Sequence, residues 1–274
     1  MDDVIKQRQE YQARLDAFKN YNGSDRVVRV EELKKELELK PKQEAIYCDL
    51  ERLNDTVGGF QRGELVVVSG ATGQGKTALL QTLTYGFANQ GMLPLWFSYE
   101  VVAEDLVERF GGNIPDFALP REIVPSSLQW LEQKIWEGMA KYTTKVVFID
   151  HLHFLISMDQ LSSMGNVSLA IGGMMRELKK LALRTQTTIF LVSHLKKTRT
   201  DAEPDLGDLR DSSFVAQESD MVFVIFRDKV LDPKTNRMIY GDTFLKVDKN
   251  RRKGTLTTIP LTFERNRFFE KGDS

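Results

Sequence analysis

The sequence predicts an α/β fold: a mainly parallel, twisted sheet flanked by helices and extended near the C-terminus by a hairpin. Three observations carry this. From Glu64 onward, short wholly apolar segments alternate with amphipathic helical ones, the pattern of parallel strands covered on both faces. The first strand runs into the first helix through a glycine-rich loop. The last two apolar segments flank a short basic turn, as hairpin strands do.

The elements follow in order. Residues 1 to about 20 read as a charged helix with Val4, Tyr11, Leu15 and Phe18 along one side, and VEELKKELEL from Val30 continues the helix-favouring composition. NYNGSD breaks the two. So narrow an apolar stripe suits a linker or docking arm, assigned to residues 1–45, with Pro41 marking entry to a compact domain spanning 46–274. There ELVVVS is followed by a helix from Lys76, then PLWFS, helices near Val102 to Phe110 and Ser126 to Ala140, and KVVFID. A helix from about Ser168 to Arg184, then TTIFLVS and MVFVIF, complete the parallel part. TFLKVDKN and TLTTIPLTFE, either side of Arg252 to Gly254, form the hairpin.

Composition narrows the function classes. The 274 residues, 41% hydrophobic and 28% charged, are enough for one substantial core. Lys plus Arg total 38 against 39 Asp plus Glu, so a formal charge of −1 gives no overall pull toward nucleic acid. A polyanionic partner has to be held by a local patch. A single cysteine, Cys48, excludes an internal disulfide framework and multi-cysteine zinc sites, and suits a reducing compartment. No apolar run approaches the ~20 residues that span a bilayer, and MDDVIKQRQE lacks a signal peptide's apolar stretch. A soluble intracellular chain with no membrane partner is expected.

The loop GATGQGKT, Gly70 to Thr77, matches the full GxxxxGKS/T pattern in its required setting, strand before and helix after. Gly70, Gly73 and Gly75 let the amides of Ala71, Thr72, Gln74 and their neighbours curl around phosphates. The helix N-terminus, through Ala78, adds its positive end. Lys76 is expected to reach the β and γ phosphates and Thr77 to ligate Mg2+, with ATP or another NTP as the nucleotide. Hydrolysis further needs a metal-holding acid and a group that activates water. Asp150 ends KVVFID after four apolar residues, where its carboxylate emerges beside Thr77. Glu100 ends PLWFSYE and is the candidate base. On spacing alone, a solvated acid at a strand end has the same signature.

FSYEVVAEDLVERF, VVFIDHLHFL, IFLVSHLKK and DLRDSSFVAQESDMVFVIFRD followed by KVDKNRRKG together resemble the RecA-like ATPase domain of DnaB-like hexameric replicative helicases. The resemblance runs from about Ile46 to Phe269 and keeps the motifs in order. In the detail of IFLVSHLKK it is similar to the phage helicase-primase and Twinkle branch. It implies a P-loop NTPase in which His194 senses the γ phosphate and Gln217 couples the site to a neighbouring subunit. From sequence alone, a structural histidine and a helix-capping amide read the same way. The resemblance also implies that Lys249 and Arg251 reach the adjacent subunit's nucleotide as an arginine finger does. Residues two apart on a strand point to one side, so the two can act as a pair. With Arg252 and Lys253 they make four basic residues in five, a pattern a solvated turn shares. By the same resemblance Arg227 and Phe263 sandwich the base; an ordinary core phenylalanine is the alternative for Phe263.

In such a ring the loops from about Ser157 to Val167 and from Lys196 to Ser213 would face the central channel, and only the second is basic. Lys196, Lys197, Arg199 and Arg210 are placed to track phosphates without reading sequence, and four solvated charges have the same composition. DLRDSS resembles a family segment, DLRESG, that grips the DNA backbone, which names Arg210, Asp211 and Ser213 as contacts; Ser213 stands where the family has glycine. The expectation is an ATP-dependent homo-oligomer, a hexameric ring, that moves on single-stranded DNA and unwinds duplex. Its partners would include a primase, polymerase or loader. Its place would be the cytoplasm of a bacterial or phage-infected cell, or a mitochondrion if the chain is an excised Twinkle-like domain. Two other readings use the same loop: a RecA- or RadA-like recombination ATPase, and a regulatory or assembly ATPase switched by nucleotide.

Overall fold

A computed structural model describes residues 2–39, 44–124, 127–156, 167–194, 212–231 and 238–272. The chain divides into two compact units, Met1–Gln43 and Glu44–Ser274. The first holds α1 (Asp2–Lys19) and α2 (Val30–Leu39). Glu31 and Glu32 in its first turn complement the positive end of α2. Arg26, in the connection, pairs with Glu32 at 3.2 Å and Glu36 at 3.3 Å. Val4, Ile5, Tyr11, Leu15 and Phe18 of α1 are exposed.

The second unit begins with α3 (Glu51–Val57), a seven-residue helix ended by Gly58 in the left-handed region at φ 71°. It continues through β1 (Leu65–Gly70), α4 (Lys76–Asn89), β2 (Leu95–Ser98), α5 (Ala103–Glu108), α6 (Leu128–Tyr142) and β3 (Val146–Asp150). A 3-10 turn at Leu152–Leu155, α7 (Val167–Thr185), β4 (Thr188–His194) and α8 (Ser212–Glu218) follow, and β5 (Met221–Leu231), β6 (Met238–Asn250), β7 (Thr257–Glu264) and β8 (Arg267–Glu270) close the unit.

These strands form one eight-stranded sheet in the order β2-β3-β4-β1-β5-β6-β7-β8. Pairing is parallel from β2 to β5 and antiparallel from β5 to β8. The expected hairpin is β6 and β7, and it extends the sheet as the composition implied. Two features exceed the expectation. MVFVIF is the first half of an eleven-residue strand, paired along its length with the thirteen-residue β6. β8 adds one more edge through a two-residue turn in which Arg265 and Asn266 both have positive φ, 49° and 65°. That is the type I′ geometry favoured by strand twist.

Alternation along the strands sorts the core into two layers. Val66, Val68, Phe148, Phe190, Phe223 and Ile225 face α4 and pack with Leu79, Leu83 and Phe87. Leu65, Val67, Val147, Ile149, Leu191 and Val222 face α6 and α7, packing with Leu131, Ile135, Met175 and Leu178. The first layer is unusually aromatic: the Phe190 ring lies 5.0 Å from Phe60, 5.2 Å from Phe148 and 5.8 Å from Phe87. Both layers grip β1, so the strand that delivers the glycine loop is wholly buried.

Candidate nucleotide site and its two edges

The loop after β1 shows why its glycines are needed. A Cβ on Gly70 would lie 2.4 Å from the Ile225 carbonyl oxygen, and one on Gly75 would lie 2.8 Å from the Phe268 ring. Gly75 is also left-handed, at φ 103°. Gly73 has φ 78° with nothing within 4 Å of its missing Cβ, so it turns the loop over open space. The Gln74 side chain, almost fully buried, accepts from the Arg227 backbone N–H at 2.7 Å and ties the loop to β5. Nothing local in the sequence signals that tether.

Lys76 starts α4 and is 7% exposed. Its Nζ donates to the carbonyls of Gly70 at 2.9 Å and Ala71 at 3.0 Å. Burial lowers its pKa, and the charges of Asp150 and Glu100 oppose that shift. Thr77 Oγ1 donates to Asp150 Oδ2 at 2.9 Å across the end of β4. Asp150 is 1% exposed, and its Oδ1 is buried without a hydrogen-bond partner. Burial foremost, with Glu100 adding repulsion, pushes its pKa to about 6 against the pull of Thr77, Lys76 and Arg109. A buried carboxylate that spends one oxygen on the loop threonine and leaves the other unused fits a divalent cation, which would restore its ionised form.

One expectation needs adjusting here. Glu100 does not close β2: the strand ends at Ser98, the Cα partner of Asp150, and Glu100 sits exposed on the bend beyond it. It lines a pocket of about 370 Å3 with Trp96, Tyr99, Leu106, Leu119 and Arg121. Its charge still acts on Lys76 and Asp150. Arg109, just past α5, acts on Asp150 too and went unnoticed in sequence, because one arginine in an acidic helix carries no spacing signal.

His194 is the last residue of β4 and the Cα partner of Gly70, beside the start of the loop; its side chain lies outside the described residues. Arg227 and Phe263 lie at this same edge. Arg227 pairs with Thr243 and Thr243 with Leu261, which places Phe263 two residues further along β7. The Phe263 ring is 49% exposed and rests on Phe268 at 4.9 Å, and Phe268 borders Gly75. An exposed aromatic beside the loop is not an ordinary core phenylalanine.

Gln217, Lys249 and Arg251 are somewhere else. β5 runs parallel to β1 and starts opposite Val66, and Asn250 pairs with Met221, so these residues gather at the foot of the sheet. Four residues of extended strand separate Val66 from Gly70, roughly 13 Å. Lys249 Nζ donates to the Ser219 carbonyl, and Arg251 donates to the Gln217 carbonyl and lies 3.7 Å from Asp220 Oδ1. Burial, then the neighbouring Arg251, lower the Lys249 pKa to about 8. The pairing expected from strand alternation is corrected. Arg251 lies in the turn past β6, and the β5–β6 register slips between Val222 and Phe223; the two cations converge because one backbone segment, 217–220, holds both.

Of the remaining basic turn, Arg252 is occupied. It donates to the carbonyls of Val57 and Gly59 and to Glu64 Oε1 at 3.2 Å, stapling α3 to the sheet. Lys253 reaches the Asp55 carbonyl. Lys196, Lys197, Arg199, Arg210 and Asp211 lie outside the described residues, as does the Ser213 side chain at the start of α8.

A model of the family described as DnaB-like helicase C terminal domain matches residues 45–114 and 123–270. The chain belongs to that family. A probable replicative DNA helicase of Trieres chinensis is 25% identical to this DnaB-like domain over 260 residues, 82% of this chain and 56% of the relative. The chain spans just over half the length of the curated relatives it matches first. Two solved structures share the fold. One, an ATPase domain, has a TM-score of 0.71 at 18% identity and covers 89% of this chain and 97% of its own. The other is titled as a DnaB-like replicative helicase and its interactions with primase. It has a TM-score of 0.71 at 17% identity, covering 98% of this chain and 71% of its own. Among the described residues no helix is long and apolar enough to cross a membrane.

Proposed function

We propose that this DnaB-like domain is the ATP-hydrolysing motor of a replicative DNA helicase, working as a hexameric ring on single-stranded DNA. The carrying observation is the division of the site. The phosphate loop, Asp150 and Glu100 stand at one edge of the sheet, and Lys249 and Arg251 at the other. A strand buried on both faces cannot fold back to join them, so a second copy of the chain supplies the missing cations.

In this reading Lys76 neutralises the β and γ phosphates of ATP, and Thr77 and Asp150 would hold Mg2+, which would supply positive charge to screen the phosphates. Glu100 orients and deprotonates water, and His194 reports the γ position. Arg227 and Phe263 cover the base. Arg251 and Lys249 of one copy face the nucleotide of the next, with Gln217 beside them. Lys196, Lys197, Arg199, Arg210, Asp211 and Ser213 follow the DNA backbone, residues 1–45 serve as the arm and 46–274 as the motor. A primase, polymerase or loader would engage the assembled ring inside the cell.

The deciding experiment measures ATPase rate with and without single-stranded DNA alongside the mass of the oligomer. A DNA-stimulated hexamer that unwinds a forked duplex supports the reading. A monomer indifferent to DNA, or a filament that pairs homologous strands without unwinding, overturns it.

A further inference from the structure

The two cations at the foot of the sheet need something to aim them. The Arg251 side chain is 52% exposed, and a long exposed arginine samples many rotamers. Its contact with the Gln217 carbonyl holds one end of the guanidinium. Next to it stands Asp220, whose side chain is only 14% exposed and which no motif assignment above uses.

Asp220 is a junction. Its Oδ2 accepts from the Leu65 N–H at 2.8 Å and from Lys179 Nζ at 2.6 Å, and its carbonyl accepts from the Arg251 N–H at 2.8 Å. Its Oδ1 faces Arg251 Nη1 at 3.7 Å. That is long for a hydrogen bond, so the carboxylate orients the guanidinium without locking it. Leu65 begins the strand that ends in the phosphate loop, Lys179 lies on α7, and the residues just before Asp220 end α8. One carboxylate therefore references the basic pair to the body that carries the subunit's own nucleotide.

We propose that Asp220 is a positioning residue that sets the direction in which Arg251, with Lys249 beside it, is presented to the neighbouring subunit's nucleotide. This rests on the ring reading above. Loss of the negative charge leaves the Leu65 bond available to an amide oxygen but releases Arg251. Asp220→Asn should then lower kcat by about tenfold to a hundredfold, the order expected for a misplaced catalytic group. KM for ATP should stay unchanged, because the subunit's own phosphate loop is intact.

The test is complementation in mixed rings, which sorts defects by the half-site they damage. Arg251→Ala mixed with Glu100→Gln should recover turnover, since some sites combine a sound base with a sound finger. Asp220→Asn should recover with Glu100→Gln and fail to recover with Arg251→Ala, placing it in the finger class. Recovery with Arg251→Ala, an unchanged kcat, or a raised KM alone would overturn the assignment. If Arg251→Ala and Glu100→Gln themselves fail to complement, the ring reading falls and takes this proposal with it. Should Asp220→Asn not fold, Asp220→Asn combined with Lys179→Met removes both members of the partly buried ion pair, a change proteins tolerate better than removing one. That double variant must show the same class; turnover equal to the parent overturns the proposal.

Discussion

Replacing Asp150 with asparagine should change how stability depends on pH, with a sign and size set by the site. The carboxyl is 1% exposed, and burial raises its pKa from 3.8 to about 6. In the unfolded chain it ionises near pH 4, while the folded protein keeps the proton until about pH 6. Stability contributed by this group is therefore complete below pH 4 and is lost as pH rises through 6. The shift of about two units corresponds to roughly 3 kcal/mol at 1.36 kcal/mol per unit. An asparagine side chain does not titrate, so Asp150→Asn should gain about 3 kcal/mol relative to the parent between pH 4 and pH 7.5. Urea unfolding at fixed protein concentration, in buffer free of nucleotide and magnesium, reads the difference. With magnesium and a nonhydrolysable nucleotide at pH 7.5 the order should reverse, because only the carboxylate binds the cation and gains by mass action. A pH-independent difference, or one of opposite slope, refutes the account of a desolvated carboxylate at this position.

Three further outcomes are expected. Lys76→Ala should abolish hydrolysis, and persistent turnover in a phosphate-release assay would remove the loop from the chemistry. Arg252→Ala should destabilise the fold by roughly 3 kcal/mol in denaturant melts, because it breaks charge-assisted bonds to three carbonyls and removes the cation paired with the largely buried Glu64; a change under about 0.5 kcal/mol, the usual range for a surface substitution, would contradict its role as a staple. Neutralising Lys196 and Arg210 together should weaken single-strand binding and flatten the slope of log K against log salt by about 1.4, two contacts at ~0.7 each; an unchanged slope would take both residues off the DNA path.

What could be read from the sequence was local. The phosphate loop is a contiguous motif whose strand and helix announce themselves, and Asp150 follows a run of apolar residues that can only be a buried strand. The short α3 and β8 escaped because seven and four residues carry no periodicity, and the turn before β8 uses Arg265 and Asn266 where a glycine would have signalled it. Roles resting on distant partners were equally hidden. Gln74 reads as one more loop residue until its side chain is found on Arg227, 153 positions away. Arg252 reads like Arg251 until its donors are traced to α3. Asp220 shows no sign that it meets residues 155 and 41 positions earlier.

On the proposed reading, the division of the site also bears on how hydrolysis would become movement. In that reading, a cradle at one edge of a rigid sheet and cations at the other would make each subunit a head-to-tail connector, and such heterologous contacts close into rings when the rotation allows. β1 joins the two edges directly: Gly70 at its top opens the phosphate loop, and Leu65 at its foot donates to Asp220 beside Arg251. Both faces of β1 are packed, so a displacement at the top is carried to the foot with little loss to bending. On the proposed reading, a subunit that shifts when its γ phosphate is released also shifts the finger it lends to its neighbour. α8 carries Gln217 and ends at Glu218, just before Asp220, which ties that residue to the same junction.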